Sequence, residues 1–192
     1  MNYLFIRHAE TEVSDRLEWH GKADPPISSK GRRHALSAAE QLRSLGHQIA
    51  EVISSDYCRG VETASVFGKV LNCAVLQDPL LRERDLGEWT GLTQDQIERG
   101  WPGRLDAWSA GRICGPPGGE TDEQVTIRVA RALLSHSNGS AGPKLIIAHA
   151  GLLRGLLASQ GMRDEEVPPL SGRWLTLLTG SGRILIGKEA SL

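Results

Sequence analysis

The stretch Leu4-Phe5-Ile6-Arg7-His8-Ala9-Glu10-Thr11 decides how this chain is read. Three apolar residues in a row fit a buried strand, but a run this short is ambiguous until its surroundings are read. A polar loop through Asp24-Pro25-Pro26 leads to Ser28-Ser29, which can cap a helix. Ala35, Leu36, Ala39, Leu42 and Leu45 then recur at helical spacing up to a stop at Gly46. Glu51-Val52-Ile53-Ser54 reads as a second buried strand, residues 59–71 as a helix and Ala74-Val75-Leu76 as a third strand. The middle of the chain, 79–119, is less regular; it carries Trp89, Trp101 and Trp108 and two predicted short helices, at 93–99 and 104–110. Thr121-Asp122-Glu123-Gln124 fits a capping box that starts a helix to about Ser135. Leu145-Ile146-Ile147-Ala148 is a further buried strand, followed by a short helix over 151–159. Segments 174–178 and 183–186 flank Gly180-Ser181-Gly182 as a terminal hairpin. Strands alternating with helices predict an α/β layered fold with a mainly parallel sheet.

At 192 residues the chain is long enough to bury roughly 70% of the surface it exposes when unfolded. Hydrophobic residues make up 40% and charged residues 23%, which argues against wholesale disorder and coiled coil. The formal net charge of −1 gives no whole-molecule attraction to nucleic acid or to an anionic membrane, so neither is an expected partner. Anion binding must come from locally gathered arginines. Cys58, Cys73 and Cys114 form no CxxC pair, which predicts reduced thiols rather than a disulfide framework or structural zinc. The amino-terminal apolar run lacks a basic flank and the length of a signal peptide, so a cytoplasmic location is expected.

In α/β folds, residues just after parallel strands gather at one sheet edge. Here Arg7 and His8 follow the first strand, Ser54, Ser55 and then Arg59 follow the second, and His149 follows Ala148. Two guanidinium forks match phosphate oxygens, and an imidazole can attack phosphorus and carry a covalent intermediate. A leaving alkoxide needs a proton, so a carboxylic acid should stand nearby. This pattern points to a phosphate site; spacing alone does not choose the nucleophile.

Arg7-His8-Ala9-Glu10-Thr11 after an amino-terminal strand resembles the RHG motif of the histidine phosphatase superfamily, the phosphoglycerate-mutase-like fold. The resemblance continues, in family order, through Gly21, Asp24-Pro25-Pro26-Ile27-Ser28, Ser54-Ser55-Asp56, Arg59, Thr63-Ala64 and Leu81-Arg82-Glu83-Arg84. It then passes through Gly87-Glu88-Trp89-Thr90-Gly91 and Gly118-Gly119-Glu120-Thr121 to Ala148-His149-Ala150-Gly151. It implies one domain over 1–192: a three-layer sandwich with a mainly parallel central sheet, helices on both faces and a small cap insertion at about 79–119. It implies His8 as nucleophile, Arg7, Arg59, His149 and Ser14 as phosphate ligands, and Glu83 as general acid and base. Gly21 and Glu120 are candidate substrate contacts, although Glu120 could equally brace its loop. No metal or cofactor is implied, and a homodimer is a family-level expectation. His149 is expected to be the more cationic of the two imidazoles.

Ala9 and Ala150 stand where many relatives have Gly, and Ala9 then requires a negative φ. Ser14 replaces a frequent Asn and keeps a shorter hydrogen-bonding reach. Glu83-Arg84-Asp85-Leu86-Gly87 lacks the Tyr of the mutases, and Gly91-Leu92-Thr93-Gln94 lacks their Asn-Lys pair. Hydrolysis of a small phosphate ester is therefore the expected reaction. The short cap and the Leu-x-Glu-x-x-x-Gly-x-Trp-x-Gly pattern resemble the small-molecule phosphatases of the family, those acting on α-ribazole 5′-phosphate among them. Phosphoglycerate mutase, phosphoprotein (phosphohistidine) phosphatase and a catalytically weak binding protein are the alternatives. His20, His34, His47 and His136 are read as structural or surface residues, Trp89 as cap packing and Cys58 as an idle thiol. Glu18, Trp19 and His20 lie in a loop that could overhang the site.

Overall fold

A computed structural model describes residues 1–12, 19, 24–138, 142–163 and 166–192. Six strands form one sheet: β1 (Asn2–Arg7), β2 (Glu51–Ser54), β3 (Ala74–Gln77), β4 (Lys144–Ala148), β5 (Ser171–Leu178) and β6 (Arg183–Ser191), in the spatial order β3-β2-β4-β1-β5-β6. The pairs β3/β2, β2/β4 and β4/β1 are parallel, and β5 and β6 add antiparallel strands beside β1. Helices α1 (Ser29–Ser44), α2 (Cys58–Leu71), α5 (Asp122–Ser135) and α6 (Ala150–Ser159) cover the sheet; α3 (Gln94–Gly100) and α4 (Arg104–Ser109) belong to the insertion.

The two-residue period of the strands divides the core in two. Tyr3, Phe5, Ile53 and Ile146 pack with Val125, Val129, Leu152 and Leu156 of α5 and α6. Leu4, Ile6, Val52 and Ile147 pack with Ala35, Ala39, Leu42 and Phe67 of α1 and α2. Strands β1, β2 and β4 are thus apolar on both faces, as the centre of a sheet covered by helices on both sides requires. This is the three-layer arrangement read from the sequence.

Ser28 caps α1, its Oγ accepting from the Gly31 amide at 2.9 Å, and Thr121 with Gln124 closes the predicted capping box of α5. The structure differs from the sequence reading on the apolar face of α1. Leu36 and Leu45 are 46% and 58% exposed, while Ala38 is buried. Leu36 lies off the stripe set by Ala35, Ala39 and Leu42, and Leu45 stands beyond the last helical turn. The terminal hairpin is also longer than expected, because Ser171 pairs with Ser191 and Arg173 donates to Glu189 at 2.8 Å. Cross-strand polar pairing there extends the ladder past the apolar residues that signalled it.

The insertion has its own small core of Leu86, Trp89, Ile97 and Leu105, with Trp19, Trp101 and Trp108 against it. Trp89 is fully buried, in line with its reading as cap packing. Among the described residues, no helix is long and apolar enough to cross a membrane.

Candidate active site

The register of the sheet brings the two histidines together. Arg7 of β1 pairs with Ala148 of β4, so His8 and His149 leave adjacent parallel strands side by side. The His8 amide donates to the Ala148 carbonyl at 2.9 Å, and the two rings meet edge to face with centroids 5.2 Å apart. From β2, the Ser55 amide donates to the Ile147 carbonyl at 3.2 Å. Its hydroxyl lies 2.7 Å from His149 Nε2. Arg59, on the first turn of α2, donates from Nε to His8 Nε2 at 3.2 Å. Its Nη1 reaches Asp24 at 3.3 Å, while the other Asp24 oxygen accepts from the Cys58 amide at 2.7 Å. Asp24 therefore caps α2 and fixes Arg59 at once, a task the N-cap residue Tyr57 leaves open because its side chain makes no capping bond. Arg7 is held by the Val167 carbonyl at 2.9 Å.

These contacts assign the nitrogens of His8. Its Nδ1 lies 2.7 Å from the Ala9 carbonyl, which can only accept, so Nδ1 carries the proton. Nε2 is then the lone-pair nitrogen, consistent with its accepting from Arg59. Ala9 has no positive φ, so its methyl group is accommodated without strain.

His149 is fully buried, and its Nδ1 and the Nε of Arg7 are buried without a hydrogen-bond partner among the described residues. Burial first, then His8 and the nearby arginines, hold the His149 imidazole well below its usual pKa. Loss of water and positive neighbours both penalise its imidazolium and favour the neutral ring, which runs against the cationic His149 expected from the sequence. Burial likewise lowers Arg7 and Arg59, with the Glu83 carboxylate opposing the shift.

Glu83 is aimed at the same place. One carboxylate oxygen accepts from the Arg84 amide at 2.7 Å and the other faces the Gly151 amide at 3.4 Å. A β-carbon on Gly151 would lie 2.5 Å from the carboxylate, so the absence of a side chain there makes room for Glu83. Arg7, His8, Arg59 and Glu83 share the wall of a cavity of about 540 Å³, roofed by Trp19 and Trp108 and bounded by α6. His149 stands behind His8 rather than in that wall.

Two candidate contacts, Ser14 and Gly21, lie outside the described residues, as do Glu18 and His20. Glu120 does not face the cavity: Arg128 grips its carboxylate at 2.7 and 2.5 Å and the Asp85 amide donates to it at 2.9 Å. It braces the loop before α5, and this corrects its candidacy as a substrate contact. Glu10, another available acid, pairs with Lys30 at 3.0 Å. Trp19 is tied to the insertion through Leu92 and Gly91, and its ring packs on Trp89 and Trp108. Cys58 has its thiol pKa raised by burial and by Glu62 and Asp24, consistent with an unreactive group. Sequence reading gave no role to Asp24, Ser55 or Arg154. Ser55 could have been found from its place at the end of β2; Asp24 is distant in sequence from the arginine it holds.

Residues 3–171 match the model of the histidine phosphatase superfamily, branch 1. Glucosyl-3-phosphoglycerate phosphatase of Mycobacterium tuberculosis is 32% identical, over 89% of this chain and 85% of its own length. A Salmonella paratyphi B protein named "Probable phosphoglycerate mutase GpmB" is 33% identical over 83% of this chain and 74% of its own. Among solved structures, mycobacterial glucosyl-3-phosphoglycerate phosphatase complexed with VO3 superposes with a TM-score of 0.81 at 27% identity, covering 100% of this chain and 99% of that one. Bacillus stearothermophilus YhfR superposes with a TM-score of 0.80 at 26% identity, covering 100% and 97%. The chain belongs to the histidine phosphatase superfamily. It is a phosphatase enzyme of that class.

Proposed function

We propose that this phosphatase hydrolyses phosphomonoesters of small metabolites without a metal ion, through a phosphohistidine on His8 Nε2. The observation that carries the reading is the His8 contact set: Nδ1 pinned by the Ala9 carbonyl and Nε2 kept as a lone pair beside Arg59. In the first step, Nε2 attacks phosphorus as the bond to the ester oxygen breaks, and Glu83 gives its proton to the departing alcohol. In the second, water attacks the phosphoryl group, Glu83 takes the proton back, the P–N bond breaks and inorganic phosphate leaves. Arg7 and Arg59 supply charge-assisted donors to the phosphoryl oxygens. The unpartnered Nδ1 of His149 is the donor available from that ring, with Ser55 engaging Nε2. An incoming phosphate dianion offsets the positive field that, after burial, lowers the His149 pKa.

A cavity of about 540 Å³ under indole side chains suits a small molecule better than a protein surface. The substrate panel includes α-ribazole 5′-phosphate, expected from the cap pattern, and glucosyl-3-phosphoglycerate, the compound in the name of the mycobacterial relative. The deciding assay is hydrolysis of p-nitrophenyl phosphate in EDTA. Activity should persist, vanadate should inhibit it, His8→Ala should abolish it, and Glu83→Gln should lower kcat by roughly 10²–10⁴-fold while phosphohistidine still forms. Strict dependence on a divalent metal, or wild-type turnover in Glu83→Gln, would overturn the reading. Phosphoryl transfer to a second substrate hydroxyl in place of water would make the enzyme a mutase.

A further inference from the structure

The His149 imidazole is held by His8, Tyr57 and Ser55. The rings of His8 and Tyr57 pack against it with centroids 5.2 and 5.5 Å away, which fixes the plane of the imidazole but not the place of its hydrogen. Ser55 acts on the hydrogen itself. Its hydroxyl lies 2.7 Å from His149 Nε2, both residues are fully buried, and Nε2 is the hydroxyl's partner among the described residues. The backbone holds Ser55 at that spot, because its amide donates to the Ile147 carbonyl, two residues before His149. Gly60, in the first turn of α2, completes the seat: a β-carbon there would lie 2.6 Å from the hydroxyl oxygen.

A neutral imidazole carries one hydrogen, on Nδ1 or on Nε2, and the hydrogen bond made at one nitrogen decides the state of the other. With the hydrogen on Nε2, Ser55 would accept. Its own hydroxyl hydrogen would then be buried without an acceptor among the described residues, and the Nδ1 lone pair would be unmatched as well. With the hydrogen on Nδ1, Ser55 donates to Nε2 and a single unmatched group is left, the Nδ1–H. Each unmatched buried polar group costs stability, so the second arrangement is favoured. The Nδ1–H is also a donor for a phosphoryl oxygen, whereas a lone pair on Nδ1 would repel one. We infer that Ser55 is a positioning residue: its hydroxyl, seated by Gly60, holds His149 as the Nδ1–H tautomer and so keeps a hydrogen-bond donor ready for the phosphoryl group. What that donor meets rests on the phosphatase reading above; which nitrogen carries the hydrogen is a property of the free enzyme.

The test is nitrogen-15 NMR of the histidine rings in the free enzyme at mildly alkaline pH, with the His149 signals assigned by their loss in His149→Gln. Wild type should show a pyrrole-type Nδ1 and a pyridine-type Nε2. In Ser55→Ala the two nitrogens should exchange types or move toward a common average. Its kcat/KM on p-nitrophenyl phosphate should fall by roughly 10–100-fold, less than the full loss of one such donor, with vanadate inhibition weakening in step. Gly60→Ala presses on the same hydroxyl from α2 while leaving Ser55 in place, and should change the nitrogen types in the same direction; it carries the test where Ser55→Ala does not fold. A pyrrole-type Nε2 in wild type overturns the inference, as does an unchanged nitrogen pattern in folded Ser55→Ala. A changed pattern with wild-type kcat/KM overturns the positioning role, because the donor then does not serve turnover. If wild type shows the expected nitrogens but hydrolyses no phosphomonoester, the phosphatase reading fails and the tautomer assignment stands.

Discussion

At the scale of single residues, the site depends on who stands next to whom in space. Gly151 shows this directly: it lies in the first turn of α6, where Ala is a better helix former, yet a β-carbon would press on the Glu83 carboxylate. Gly151→Ala should therefore leave the urea midpoint nearly unchanged but displace Glu83. The expected loss in kcat on p-nitrophenyl phosphate is roughly 10–100-fold, smaller than that of Glu83→Gln. Steady-state kinetics beside an unfolding curve checks it; wild-type kcat would show that Glu83 is not the working acid. His8, His149, Arg7, Arg59 and Glu83 were all legible in the sequence, because each follows a strand end or sits in a patterned block. The neutrality of His149 was not legible, since it depends on burial and on charges brought from three other segments.

At the scale of elements, the insertion joins the sheet layers through Arg84. Its side chain is 1% exposed; it donates to Asp122 at 2.7 Å and to the Glu120 carbonyl at 2.7 and 3.0 Å, and it stacks over Trp108 at 4.7 Å. Removing one partner of such a buried pair leaves the other without compensation. Arg84→Met should cost about 3–5 kcal/mol of stability, read from urea unfolding, and should lower kcat as well because Glu83 is its neighbour. A cost below about 1 kcal/mol would mean that the insertion does not need this anchor. The helices and strands themselves were readable from apolar spacing and from Thr121-Asp122-Glu123-Gln124. The exposed Leu36 and the long β5/β6 ladder were not, because propensity carries no information about which partner an element meets.

For the molecule as a whole, the buried neutral His149 ties stability to pH. Its pKa is depressed on folding, so below the unfolded value of about 6.5 the unfolded chain binds a proton that the folded chain does not. Stability should be fully present above that pH and should fall as the pH drops below it, by at most about 1.4 kcal/mol per pH unit from this group. Replacing the ring, as in His149→Gln, should flatten the decline between about pH 6.5 and 5. Urea midpoints across that window measure it, and parallel curves for the two proteins would remove His149 as the cause.

Local patterns along the chain were enough to settle its α/β class and the family that it joins, and to point to the strand ends where the candidate residues gather, because hydrophobic period and ordered motifs are properties of neighbouring residues. Which strands adjoin, that Asp24 fixes Arg59, that Glu120 serves Arg128, and that Arg154 lines the cavity were decided only when the chain closed on itself. Those facts depend on distances between residues far apart in sequence, and no local pattern encodes such a distance.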